Sequence, residues 1–271
     1  MLYECHGHIF LHHNDADSAG LRKTLKGLAD DGVFYYRDGG DPEGISLKAK
    51  AMAKDFGIDF VSPAFAIYKA GYYGKWLGRA FETQREFHAL VREAADRGAD
   101  YIKIMATGIL DFNDGGKIHT PALKLAELTQ MLHVVHEEGF AAMVHVNGPD
   151  HILDALEAGA DSIEHGYWPS DKAVDAFLHS GAIWVPTRAP IQNLVGSGRV
   201  PDDVLKTILY TQGAVLRQAY ASGVPVASGS DAGALMVPQG QGTEDEIQYL
   251  RQLGIDCASG NLQVAKRFRR K

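Results

Sequence analysis

The chain has 271 residues, 45% hydrophobic and 23% charged, which fits a globular protein with a large core and excludes a disordered or fibrous one. A net charge of -7 argues against a nucleic-acid partner, and no apolar run approaches the length of a membrane span. Two cysteines, Cys5 and Cys257, cannot build a disulfide framework, and no signal-peptide pattern opens the chain, so the expectation is a cytoplasmic protein in a reducing compartment.

The first stretch, Leu2 to Leu11, reads as a strand that carries His6 and His8 on one face, because side chains two apart point the same way. Helical spacing follows from Ser18 to Asp31, with Gly32 as its stop. Val33 to Tyr36 is a second strand, ending in Arg37-Asp38-Gly39-Gly40, and Ser46 is placed to cap a helix to Phe56. Asp59 to Ala66 is the third strand. The loop Tyr68 to Gly78 mixes three glycines with Tyr72, Tyr73 and Trp76, which suits a substrate loop and equally a loop packed on its own aromatics.

Ala80 to Gly98 reads as a helix, Tyr101 to Met105 as the fourth strand and Pro121 to Glu138 as a helix. The fifth strand is Ala141 to Val146 and the sixth Asp161 to His165, with a helix from Asp150 to Ala158 between them. The seventh is Ala182 to Pro186, after a helix from Asp171 to Ser180. A helix from Asp202 to Ser222 leads to the eighth strand, Val224 to Ser230. Eight short apolar strands separated by helices predict a single α/β domain over residues 1–271, a (β/α)8 TIM barrel. A doubly wound sheet would need a glycine-rich phosphate turn after the first strand, and none is present. The basic run Lys266 to Lys271 reads as a solvated helix end, and His12, His13, His88 and His133 carry no evident role.

In such a barrel the chemistry sits at the C-terminal ends of the strands. Standing there are His6 and His8, Lys103, His145, His165 and, just past the eighth strand, Asp231. Each alone has an ordinary reading: a core histidine satisfied by backbone, a lysine paired to an acid, an aspartate capping a loop. Together, at five strand ends, they form a compatible metal-ligand set, since burying each without a partner would cost several kcal/mol. Lys103 alternates with Ile102 and Ile104, so if the isoleucines face the helices it points into the barrel, where burial lowers its pKa and frees a neutral amine.

These residues, with Lys103-Ile104-Met105-Ala106-Thr107-Gly108, Ser162-Ile163-Glu164-His165-Gly166, Val185-Pro186-Thr187 and Gly229-Ser230-Asp231-Ala232-Gly233, resemble the amidohydrolase superfamily. The wording is most similar to its imidazolonepropionase-like and Xaa-Pro dipeptidase branch, without that branch's flanking β-sandwich. The resemblance implies two divalent metal ions, zinc by default and otherwise manganese, cobalt or iron. His6, His8 and Asp231 would hold one, His145 and His165 the other, and Lys103, carbamylated by carbon dioxide, would bridge them. A hydroxide between the ions would attack an amide, cyclic amide or ester carbonyl of a small molecule or dipeptide, with Asp231 as general base.

Glu164 should face away from His165, in a supporting or packing role. Tyr68, Tyr72, His119 and Arg188 are the candidate substrate contacts, Arg188 or Tyr72 meeting a carboxylate or carbonyl. The partners expected are a small-molecule substrate and a second copy of the chain in a homo-oligomer, with neither nucleic acid nor membrane. The alternatives are a mononuclear hydrolase or deaminase on the same barrel, and a non-catalytic metal-binding relative.

Overall fold

A computed structural model describes residues 1–11, 17–119 and 121–270; His12, His13 and Lys271 therefore lie outside the described residues. Strands and helices alternate: β1 (Leu2–Gly7), α1 (Ser18–Asp30), β2 (Val33–Asp38), α2 (Ile45–Ala53), β3 (Asp59–Val61), β4 (Ala66–Lys69), β5 (Gly78–Phe81) and α3 (Gln84–Asp96). Then come β6 (Ile102–Met105), the small antiparallel pair β7 (Leu110–Asp111) and β8 (Lys117–Ile118), α4 (Leu125–Glu137), β9 (Ala142–Val146), α5 (Pro149–Ala158) and β10 (Ser162–His165). The chain continues with α6 (Lys172–Ser180), β11 (Ile183–Val185), α7 (Ala189–Gln192), α8 (Asp202–Ala221), α9 (Gln241–Gln252) and α10 (Ala258–Arg267).

The protein is an α/β fold with parallel sheets. One sheet runs β1-β2-β3 and the other β11-β10-β9-β6-β4-β5. The segment expected as the eighth strand makes only isolated parallel bridges, Trp184 with Val226 and Gly7 with Ala232. Backbone amides nevertheless connect it on both sides. Ala227 donates to Trp184, Cys5 donates to Ser228, and Asp231 donates to His6, at 2.9, 2.9 and 2.7 Å.

Several local expectations are corrected. The third strand is two pieces, because Pro63 has no N–H to donate and Ala64 takes a left-handed φ of 65°. Gly78, read as the end of a loop, and Ala80-Phe81, read as the start of a helix, instead belong to a strand over 78–81 whose register on β4 sets Gly78 opposite Ala66, and the helix starts only at a capping box between Thr83 and Glu86. Ser46 does not cap α2. The Asp41 carboxylate does, accepting from the amides of Glu43, Gly44, Ile45 and Ser46. The C-terminal basic run is not a free tail: Phe268 is buried, Arg267 donates to the Gly181 carbonyl, and Arg269 pairs with Asp59.

Two packed layers follow from strand alternation. Ile102, Ile104, Val144 and Ile163 pack outward on helix residues such as Phe87, Leu128 and Ile152. Cys5, Tyr35, Tyr101, Met143, Ile183 and Phe268 form the separate inner cluster. Lys103 lies between Ile102 and Ile104, is buried, and turns toward the N-terminal histidines.

Candidate metal centre

The strand ends bring His6, His8, Lys103, His145, His165 and Asp231 together. The Nε2 atoms of His6 and His8 lie 3.7 and 3.2 Å from Asp231 Oδ1. Lys103 Nζ is 3.3 Å from His6 Nε2 and 3.5 Å from His8 Nε2. The rings of His145 and His165 stand 4.6 Å apart, and that of His165 is 4.9 Å from His6. His165 and Asp231 both take left-handed φ values, 66° and 59°, an uncommon backbone state held by the surrounding hydrogen bonds.

Supporting contacts determine which ring nitrogens face the centre. His6 Nδ1 is 2.6 Å from Glu164 Oε2, so it donates its proton there and leaves a lone pair on Nε2. His145 Nε2 donates to the Gly108 carbonyl at 3.2 Å, which leaves its Nδ1 unprotonated. His165 Nδ1 hydrogen-bonds Thr187 Oγ1 at 2.7 Å. Two glycines permit the close approach: a Cβ on Gly39 would stand 2.1 Å from His8 Cε1, and one on Gly229 would stand 2.8 Å from His6 Cβ.

Glu164 is itself fixed. The Arg37 guanidinium donates to both its oxygens at 2.8 and 3.0 Å, to Ser162 Oγ at 3.0 Å and to the Cys5 carbonyl at 2.6 Å, while lying 4.2 Å from the Phe268 ring centre. Glu4 performs a parallel service on the other side. It accepts from the amides of His6 and Ser230 and from the hydroxyls of Ser230 and Thr243, at 3.1, 2.8, 2.5 and 2.6 Å. Burial pushes its carboxyl up to about 7 against those four bonds. Sequence reasoning missed Glu4, although it shares the alternation of His6 and His8 in an apolar strand.

Burial, and next the Lys103 charge, lower the pKa of His6 and His8. Burial also lowers His145 well below its ordinary value and His165 to about 3. Lys103 is brought down to about 8 by burial, against the pull of Asp231. Burial works to raise Asp231, but its hydrogen bond to His8 and the other imidazoles hold it well below the usual carboxylate range. Imidazole nitrogens and a carboxylate thus converge at the strand ends.

Such donors repel unless a cation lies among them, and their ligand atoms all lie within 4.8 Å of one another for His6, His8 and Asp231. The donor set, two imidazoles and a carboxylate, fits a divalent transition metal. His8 Nδ1 is buried without a hydrogen-bond partner among the described residues.

The four candidate substrate contacts stand elsewhere. Tyr68 is buried beneath Gly74, and Tyr72 sits against the Lys69 ammonium. His119 is exposed and pairs with Asp111. Arg188 is buried, donating to the Leu209 carbonyl at 3.3 Å and to Gln212 Oε1 at 3.0 Å. The aromatic loop does reach the centre through neighbours of Tyr72: Tyr73 lies 5.5 Å from the His145 ring and Trp76 6.1 Å from that of His8. No helix among the described residues is long and apolar enough to cross a membrane.

The model of the amidohydrolase family matches residues 2–263. An uncharacterised protein of Mycobacterium tuberculosis (strain ATCC 25618 / H37Rv) is 29% identical over 180 residues, 64% of this chain and 47% of that protein. The ochratoxinase of Aspergillus niger is 25% identical over 191 residues, 69% of this chain and 38% of that enzyme. The chain thus spans less than half the length of these curated relatives.

Among solved structures, a Xaa-Pro dipeptidase with methionine bound in its active site superposes with a TM-score of 0.78 at 22% identity, covering 98% of this chain and 74% of the other. The A. niger ochratoxinase structure gives 0.77 at 20% identity, covering 98% and 68%. At these identities the likeness is one of fold. With nearly its whole length matched by the family model, this chain belongs to the amidohydrolase family.

Proposed function

We propose that the chain is a metal-dependent hydrolase that cleaves an amide or ester carbonyl of a small molecule. Its strands are taken to close into one eight-stranded barrel, with the 224–232 segment completing the ring. His6, His8 and Asp231 would hold one divalent ion, zinc by expectation, and His145 and His165 a second. Lys103, with a pKa near 8, keeps a neutral fraction at physiological pH that can add to carbon dioxide, forming an N–C bond and releasing a proton. The resulting carbamate would be the anion that bridges the two ions, carried on a side chain that lies beside His6 and His8.

Bound divalent ions supply Lewis acidity, polarising the scissile carbonyl and easing the ionisation of water. The chain supplies the rest. Asp231, ionised and held at His8, accepts the proton of the attacking water and returns it to the leaving nitrogen as the C–N bond breaks. Arg37, Glu164 and Glu4 keep the His6 ring and the Asp231 backbone in place.

The observation that carries this reading is the gathering of His6 Nε2, His8 Nε2 and Asp231 Oδ1, two imidazoles and a carboxylate, within 4.8 Å of one another. A mononuclear variant has its own support, since only that triad brings three ligand atoms together among the described residues. In it Lys103 remains an amine beside His6.

Metal analysis of protein loaded with zinc or manganese and bicarbonate tests both. About two ions per chain, falling to about one in Lys103→Ala, supports the bridged pair. One ion unchanged by that substitution favours the mononuclear form. No metal under any loading overturns the hydrolase reading.

A further inference from the structure

The cavity above the metal centre has a volume of about 390 Å³, enough for a small organic molecule. Beyond His8, Lys103, His145, His165 and Asp231, its wall is mostly hydrocarbon and aromatic ring. Phe112, Ile191 and Leu194 contribute from one hydrophobic cluster, and Trp76, Ile109 and Leu235 are the cavity's exposed apolar lining residues. Those last three are 46%, 49% and 59% exposed, large apolar surfaces that water reaches and a ligand would cover.

Two polar side chains of the wall, Asn147 and Tyr167, are already engaged. Asn147 donates to the Gly108 carbonyl at 3.4 Å and accepts from the Tyr167 amide at 3.0 Å. The Tyr167 hydroxyl donates to the Thr187 carbonyl at 2.5 Å. Among the described lining residues Lys103 is the one cation, and it stands at the metal centre. Arg188, which would be the natural partner of a substrate carboxylate, is turned into the packing around α8.

Away from the metal centre, a carboxylate held against this wall would lose its water and meet no cationic side chain among the described lining residues, whereas hydrocarbon or aryl groups would cover exposed apolar surface. We infer that the cavity takes a neutral amide or ester flanked by apolar or aromatic groups, and discriminates against substrates bearing a free carboxylate away from the scissile bond. The inference rests on the hydrolase reading for the bond that is cleaved. The recognition it describes is separately measurable.

The test uses two ligands of one shape, N-phenylhexanamide and the monoanilide of adipic acid, whose chain ends in a carboxylate instead of a methyl. Binding to the metal-loaded full chain is followed by tryptophan fluorescence, with Trp76→Phe identifying the signal from the cavity. The neutral anilide is expected to bind about 100-fold more tightly than the acid. Leu235→Lys, on an exposed side chain, is expected to shrink that gap about two- to fivefold by giving the carboxylate a partner.

Equal or tighter binding of the acid by the unaltered chain overturns the inference. So does a gap that Leu235→Lys leaves unmoved, or the failure of the neutral anilide to bind. Release of aniline is read in parallel. Tight neutral binding without aniline release leaves the recognition standing and counts against the hydrolase reading alone.

Discussion

Glu164 and Arg37 form a buried two-pronged ion pair, with guanidinium nitrogen to carboxylate oxygen distances of 2.8 and 3.0 Å, and the same carboxylate takes the His6 Nδ1 proton at 2.6 Å. Strand β2 therefore orients a residue of β1 through a residue of β10. A carboxylate behind a metal-facing imidazole fixes its tautomer and makes the opposite nitrogen a better donor.

Glu164→Gln should loosen this arrangement while keeping its shape. The amide offers His6 no negative charge and leaves Arg37 partly unpaired. Metal affinity, measured by competition with a chromogenic chelator, is expected to fall about 10–100-fold. Unchanged affinity would reduce Glu164 to a packing group.

Asp231→Asn removes the proton acceptor and leaves the shape of the loop. Turnover of a hydrolysable anilide is expected to drop about 10²–10⁴-fold, with the circular dichroism spectrum unchanged. Rates near those of the unaltered chain would remove Asp231 from the proposed proton transfer.

Gly39→Ala places a methyl where the His8 ring now lies, 2.1 Å from Cε1. The ring must swing, so metal affinity should suffer more than folding does. The expected result is a loss of about tenfold or more in affinity, with a stability cost of about 1–3 kcal/mol in urea titration.

Metal loading should stabilise the fold. Free ion at about 100 times its dissociation constant adds about 2.7 kcal/mol, which for a chain of this size raises Tm by about 5–10 °C. Differential scanning fluorimetry with and without chelator reads this directly, and Lys103→Ala should show a smaller rise if two ions bind.

His136 offers a pH signature far from the centre. Its Nε2 donates to Asp161 Oδ2 at 2.9 Å, and that bond raises its pKa above the ordinary histidine value. A group raised on folding stabilises fully below its unfolded pKa of about 6.5 and loses that contribution as pH climbs through the folded value. The urea midpoint of His136→Gln should therefore lie below that of the unaltered chain at pH 5.5, and the difference should close by pH 8.5.

The metal centre was legible because its residues break apolar strand runs: a lysine between two isoleucines, or a histidine after Ile163-Glu164, has no cheap place to hide. Glu4 breaks a run in the same way and holds the opposite side of the site, yet a single carboxylate without a recurrent spacing gives little signal. The strand at 78–81 was hidden because Arg79-Ala80-Phe81 joins a helical pattern beyond it, and only pairing with Ala66–Lys69 makes it extended. Arg188 illustrates a different limit: loop position says that a side chain follows a strand end, not which way it turns. Tyr73 and Trp76, one and four residues from Tyr72, face the cavity where Tyr72 does not.

The bonds from Ser230 to Glu4 join residues 226 positions apart. On a ribosome, chain elongation at about 5–20 residues per second separates their emergence by roughly 10–45 seconds. Throughout that interval His6 and His8 exist as an open imidazole pair with neither Asp231 nor the Glu4 brace in position. Under the proposed function, the order of synthesis would therefore favour metal loading late, from the ion supply the finished chain encounters.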